Sequence, residues 1–175
     1  MTEEVILVDQ QDQELGKMPK LEAHQKGLLH RAFSVFVFND NDELLLQKRA
    51  SGKYHSGGLW TNTCCSHPAP SEITSDACHR RLMEEMGFDT DLEFVTSFIY
   101  KAKLDNNLTE HEFDHVYAGR YNYAPKPDLS EAEDWKYVNM EFLKKDLETN
   151  PQNYTVWFKI IFNDLHSFLL NHLAK

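Results

Sequence analysis

The chain has 175 residues, with 18 lysines and arginines against 28 aspartates and glutamates, a formal net charge of −10 with histidine neutral. That length suits one domain and buries roughly 70% of the surface of the unfolded chain, so a core needs no disulfide staples. Hydrophobic residues at 41% and aromatics at 12% exclude a disordered or collagen-like chain. The acidic balance argues against a nucleic-acid binder, which must lay positive charge along phosphates, yet leaves room for a small anion in a locally basic pocket. Three cysteines, two of them adjacent, do not make a secreted disulfide framework. No run approaches the ~18 apolar residues of a membrane span, and Val5 to Val8 is too short for a signal-peptide core. A cytoplasmic monomer acting away from membranes is expected.

Val5 to Val8 reads as an opening strand, with a polar turn running on to Gly16. Ala32 to Phe38, rich in Phe and Val, is a second strand and Leu44 to Gln47 a third. The turn formers Asn39-Asp40-Asn41-Asp42 between them predict a hairpin. Ser51 to Gly58 is a glycine-marked loop, Trp60 to Cys65 is extended, and His67-Pro68-Ala69-Pro70 forces a break. From Ser71 to Met86 the apolar residues Ile73, Ala77, Leu82 and Met86 recur at spacings of four or five, a helix that Gly87 closes. Phe94 to Ala102 and Glu112 to Tyr121 are two more strands, split by Asp105-Asn106-Asn107. After a loop at Tyr123 to Pro127 come a short strand at Trp135 to Val138 and a short helix at Glu141 to Glu148. Beyond Pro151 a final helix runs from Thr155 to Leu173. Strands dominate with helices inserted and appended, so the fold class is α+β, a sandwich in a single domain over residues 1–175.

Histidines stand out chemically. His24 and His30 flank the start of a strand, and His67 follows Cys65 by two residues, as Glu112 follows Glu110. A period of two puts each such pair on one face of an extended segment. Three imidazoles and two carboxylates suit a divalent transition metal. No pair has the short separation of a zinc knuckle, so spacing alone favours scattered surface histidines beside a solvated acidic turn. On the helix, Arg81 and Glu85 share a face, as do Arg80 and Glu84. With the cation N-terminal the pairs have the less stabilising order. A guanidinium beside a carboxylate also suits a diphosphate, gripped directly by one and through magnesium by the other.

The string Glu72-x7-Arg80-Arg81-Leu82-x-Glu84-Glu85-x-Gly87-Phe88 resembles a Nudix box, the motif of enzymes that handle diphosphates through metal-bound glutamates. It departs twice: Ser66 stands where the first glycine is expected, and Arg81 replaces a glutamate that holds magnesium for hydrolysis. With Thr61-Asn62-Thr63-Cys64-Cys65-Ser66-His67-Pro68 and Glu110-His111-Glu112-Phe113, the chain from about Ile6 to Trp157 is similar to the type I isopentenyl-diphosphate isomerases. The resemblance implies a Nudix-like mixed-sheet sandwich. It also implies interconversion of isopentenyl and dimethylallyl diphosphate, by protonation and deprotonation through a tertiary carbocation, with Cys65 and Glu112 as catalysts. Tyr100 matches a tyrosine near the catalytic glutamate, and Trp157 an indole whose face stabilises the cation. Ile161, Leu165 and Phe168 would carry an apolar stripe on from Trp157.

The same resemblance places one divalent ion (manganese, magnesium or zinc) on His24, His30, His67, Glu110 and Glu112. Lys20, Arg49, Lys53 and Arg81 become diphosphate anchors. Glu85, helped by the Cys65 carbonyl, holds a magnesium ion bridged to the diphosphate, and no flavin or nucleotide is implied. Two other readings stand beside it: a Nudix hydrolase of a nucleoside diphosphate derivative, and a silent metal- or diphosphate-binding protein.

Overall fold

The computed structural model describes the backbone of residues 3–173 and the side chains of residues 3–164. The strands are β1 (Glu4–Val8), β2 (Glu14–Pro19), β3 (His30–Phe38), β4 (Glu43–Arg49), β5 (Trp60–Thr61), β6 (Cys64–Ser66), β7 (Leu92–Lys103), β8 (Thr109–Arg120) and β9 (Ala132–Asn139). Helix α1 (Lys20–Lys26) precedes β3, α2 (Thr74–Met86) follows β6, and α3 (Met140–Thr149) and α4 (Val156–Leu173) come after β9. All the described strands join one mixed sheet, in line with the α+β class. β3 is its hub, antiparallel to β1, β4 and β6 and parallel to β8.

The near-continuous apolar run of β3 follows from cover on both faces. Phe33, Val35 and Val37 pack with Ala77, Cys78, Leu82 and Met86 of α2. Phe36 and Phe38, on the other face, pack with Trp157, Phe158, Ile161 and Phe162 of α4 and with Leu143 and Leu147 of α3. The result is a helix–sheet–helix sandwich with a core on each side. Alternation likewise sends Cys64 into the α2 core, while Cys65 packs on the α4 side. Gly87 ends α2 at φ +71°, and a Cβ there would lie 2.1 Å from the Lys126 carbonyl oxygen, a position only glycine accepts.

The first thirty residues depart from the sequence expectation. The stretch assigned to a turn up to Gly16 enters β2, and α1 follows at once. β2 is an edge strand paired only with β1, so it carries little of the alternation that marks a half-buried strand. α1, seven residues between Pro19 and a left-handed Gly27, is too short for a helical period to emerge. The extended run at Trp60 to Cys65 divides into β5 and β6, because the Asn62 amide turns inward to donate to the Cys64 carbonyl at 2.8 Å. The helix expected from Ser71 begins at Thr74. Leu165 and Phe168 lie outside the described side chains.

Register places the chemistry. Parallel pairing sets His30 beside Glu112, the β7–β8 ladder sets Tyr100 opposite Glu112, and β6 sets Cys65 opposite Ser34.

Candidate active site

His24 on α1, His30 on β3, His67 just beyond β6 and Glu112 on β8 converge, their ligand atoms all within 4.8 Å of one another and all buried. The Nδ1–H of His24 donates to the Lys20 carbonyl and that of His30 to the Leu28 carbonyl, both at 2.8 Å. A carbonyl only accepts, so the neutral form of either ring would turn a bare Nε2 lone pair inward. His24 Nε2 is buried without a hydrogen-bond partner, and His30 Nε2 lies 3.2 Å from His67 Nε2. His67 Nε2 is 3.0 Å from Glu112 Oε1. Burial lowers His24 and brings His67 down to about 4, against the pull of Glu112. Neutral imidazole lone pairs around one carboxylate fit a divalent transition metal, with backbone carbonyls fixing two of the rings.

Glu110 stands beside this group of four rather than within it. The Tyr100 hydroxyl is 2.7 Å from Glu112 Oε2 and 3.0 Å from Glu110 Oε2. One phenol carries one proton, so Tyr100 donates to one carboxylate while the second contact takes its proton from the other acid. Burial, then the Glu112 charge, raises Glu110 well above the usual range. Burial acts the same way on Glu112, but the facing His30 and His67 imidazoles outweigh it and bring that carboxyl well below. Asp114, the next inward residue of β8, accepts from Ser34 Oγ at 2.8 Å. Burial and the Glu112 charge lift it to about 8.

Cys65 and Glu112 line the same pocket, together with Ser34, His55, Ser66, Tyr100 and Trp157. Burial pushes the Cys65 thiol far up, with Glu85, Glu110 and Glu112 adding to it and Arg49 opposing, so the thiol keeps its proton. Trp157 is 2% exposed and belongs both to the α4 core and to the pocket wall. The Arg49 guanidinium carbon lies 5.1 Å from its ring centre, within cation–π range.

Lys20, Arg49, Lys53 and Arg81 line that pocket too, with Glu85. Glu85, 5% exposed, accepts from Arg81 Nη2 at 2.8 Å and from Gln47 Nε2 at 2.9 Å. The outer pairs of the helix are scaffold: Arg80 holds Glu72 at 2.7 Å and Glu84 at 3.2 Å, and His79 holds Asp89 at 2.6 Å. Every sequence-nominated site residue therefore reaches one pocket, except that His30 borders it through the ion cluster. Sequence reasoning missed Ser34, Tyr54, His55, Asp114 and Glu131. Asp114 had a signal, as the third inward carboxyl in the same period of two; Glu131 had none.

The mixed sheet with helices on both faces is the Nudix fold. The NUDIX domain family model matches residues 28–158. A solved structure from Deinococcus radiodurans superposes with a TM-score of 0.71 at 16% identity, over 85% of this chain and 90% of that one. A protein of Photorhabdus laumondii named isopentenyl-diphosphate Delta-isomerase 2 is 54% identical over 165 residues, 94% of this chain and 93% of that one. Isopentenyl-diphosphate Delta-isomerase of Serratia proteamaculans is 48% identical across 100% of this chain and 98% of its own. The chain belongs to the isopentenyl-diphosphate Delta-isomerase family of Nudix proteins.

Proposed function

We propose that this chain, as one catalytic domain, interconverts isopentenyl and dimethylallyl diphosphate. The observation that carries the proposal is that a protonated thiol and an ionised carboxylate line one pocket together with the cations Lys20, Arg49, Lys53 and Arg81. The reaction adds a proton to one end of an alkene, passes through a tertiary cation, and removes a proton from the carbon on the other side. It needs no oxidant and leaves the phosphates intact. It is reversible, so Cys65 and Glu112 each donate in one direction and accept in the other. Tyr100 steadies the Glu112 carboxylate through its hydroxyl. Trp157 offers its ring face to the cation, an attraction of ~2 kcal/mol or more when desolvated. Its burial also keeps water from quenching the intermediate.

Lys20, Arg49, Lys53 and Arg81 anchor the diphosphate. His24, His30, His67 and Glu112, with Glu110 adjacent, would hold a divalent ion; the nitrogen donors favour manganese or zinc over magnesium. Glu85, with the Cys65 carbonyl, would hold magnesium arriving with the substrate. Bound there, the two ions supply positive charge that keeps Glu112 ionised and offsets the diphosphate. All these residues come from one chain, which supports a monomeric working unit, and the free thiols Cys64, Cys65 and Cys78 support a cytoplasmic setting. None of the described helices is long and apolar enough to cross a membrane.

The test is incubation with isopentenyl diphosphate in deuterated water. The expected product is dimethylallyl diphosphate labelled on carbon, without phosphate release, and Cys65→Ala should bind substrate but not convert it. Released phosphate would instead identify a hydrolase, and unchanged substrate a binding protein.

A further inference from the structure

Glu131, one residue before β9, has no part in the reaction above. Its carboxylate nonetheless sits in the pocket wall, paired with Lys53 and 3.4 Å from Arg81 Nη2, two of the proposed diphosphate anchors. Its backbone is pinned at both ends: the Ala50 N–H donates to the Glu131 carbonyl at 2.9 Å, and the Glu131 N–H donates to the Asp128 carbonyl at 2.9 Å. Glu133, two residues on, turns away from the pocket to hold Lys48 at 2.9 Å and the Ser51 hydroxyl at 2.7 Å. The Glu131 side chain is 25% exposed, so a rotation alone would carry it into solvent.

We infer that Glu131 is a resident counter-ion of the diphosphate anchors, displaced by the substrate, and that it sets the least charge a ligand must bring to enter. The inference rests on the diphosphate reading of the pocket. An incoming phosphate must break the pairs that Lys53 and Arg81 make with Glu131. A single phosphate group replaces one ion pair with another at the same two cations and gains little. A diphosphate reaches Lys20 and Arg49 as well, and its surplus contacts make the exchange favourable. On release the carboxylate returns and closes the anchors against stray anions. Selectivity thus comes from competition inside the protein rather than from an added contact to the substrate.

The test is isothermal titration calorimetry on the full-length, metal-loaded protein, with inorganic phosphate and, separately, magnesium pyrophosphate. Wild type, Glu131→Gln, Glu131→Ala and the control Glu133→Gln are compared, each checked by circular dichroism. Both Glu131 variants remove the charge, so either one that folds suffices. Expected is a gain of about tenfold in phosphate affinity and a smaller gain for magnesium pyrophosphate, with Glu133→Gln matching wild type. Unchanged or weaker phosphate binding overturns the counter-ion role. So does a raised magnesium requirement for pyrophosphate, which would make Glu131 an ion ligand. Pyrophosphate that fails to bind wild type overturns the diphosphate reading itself; pyrophosphate that binds wild type, with discrimination unaltered in the Glu131 variants, overturns only the counter-ion role.

Discussion

Replacing Asp114 with asparagine should stabilise this protein at neutral pH. The side chain is 1% exposed, and burial with the neighbouring Glu112 charge raises its carboxyl to about 8, against ~3.9 in an unfolded chain. Between those values the folded chain keeps a proton that the unfolded chain has given up. The stability is therefore complete below the unfolded value and drains away as pH rises toward the folded one, by ~1.4 kcal/mol per pH unit. From pH 5 to pH 7 wild type should lose about 2.7 kcal/mol on this account. Asparagine resembles the neutral acid and still accepts from Ser34, so the variant escapes that loss. In a chain of this size the gap corresponds to ~5–11 °C in Tm. Urea unfolding at both pH values, with EDTA present to keep cations from Glu112, measures it directly. If wild type and Asp114→Asn lose stability equally between pH 5 and pH 7, the buried-acid argument is wrong.

Tyr100→Phe removes the hydroxyl that bridges Glu110 and Glu112 while keeping the ring in its place. Turnover should fall by roughly 10- to 100-fold with KM nearly unchanged; a wild-type kcat would reduce Tyr100 to packing. Manganese or zinc at about a hundred times its Kd should add ~2.7 kcal/mol to the stability of EDTA-stripped protein. His24→Ala should lose most of that gain in a thermal melt, and a variant that keeps it would remove His24 from the ion site.

The period of two was the most informative signal in the sequence. It put His67 on one face with Cys65, as the pocket bears out, and the same alternation sends Cys64 into the opposite core. It could not bring His24 to the others, because His24 rides on α1, whose seven residues carry no readable pattern. The histidines became a cluster only through pairing of distant strands, information that spacing along one segment does not hold. The helix pairs divided by depth: Arg81 and Glu85 reach the pocket, while Arg80 and Glu84 remain outside as an ordinary ion pair. Glu131 was illegible for a different reason. Its partner Lys53 lies on a loop that meets β9 only in three dimensions.

His24 and Glu112 come from remote parts of the chain, and the pairing that carries His30 to Glu112 is parallel and long-range. Such pairings close late, since a large loop must be ordered before any contact rewards it. A partly assembled polypeptide would own the imidazoles without the cage. Were the proposed ion held by these residues, its capture would mark completion: the chain would bind metal only once β8 has docked, and metal content would report correct assembly.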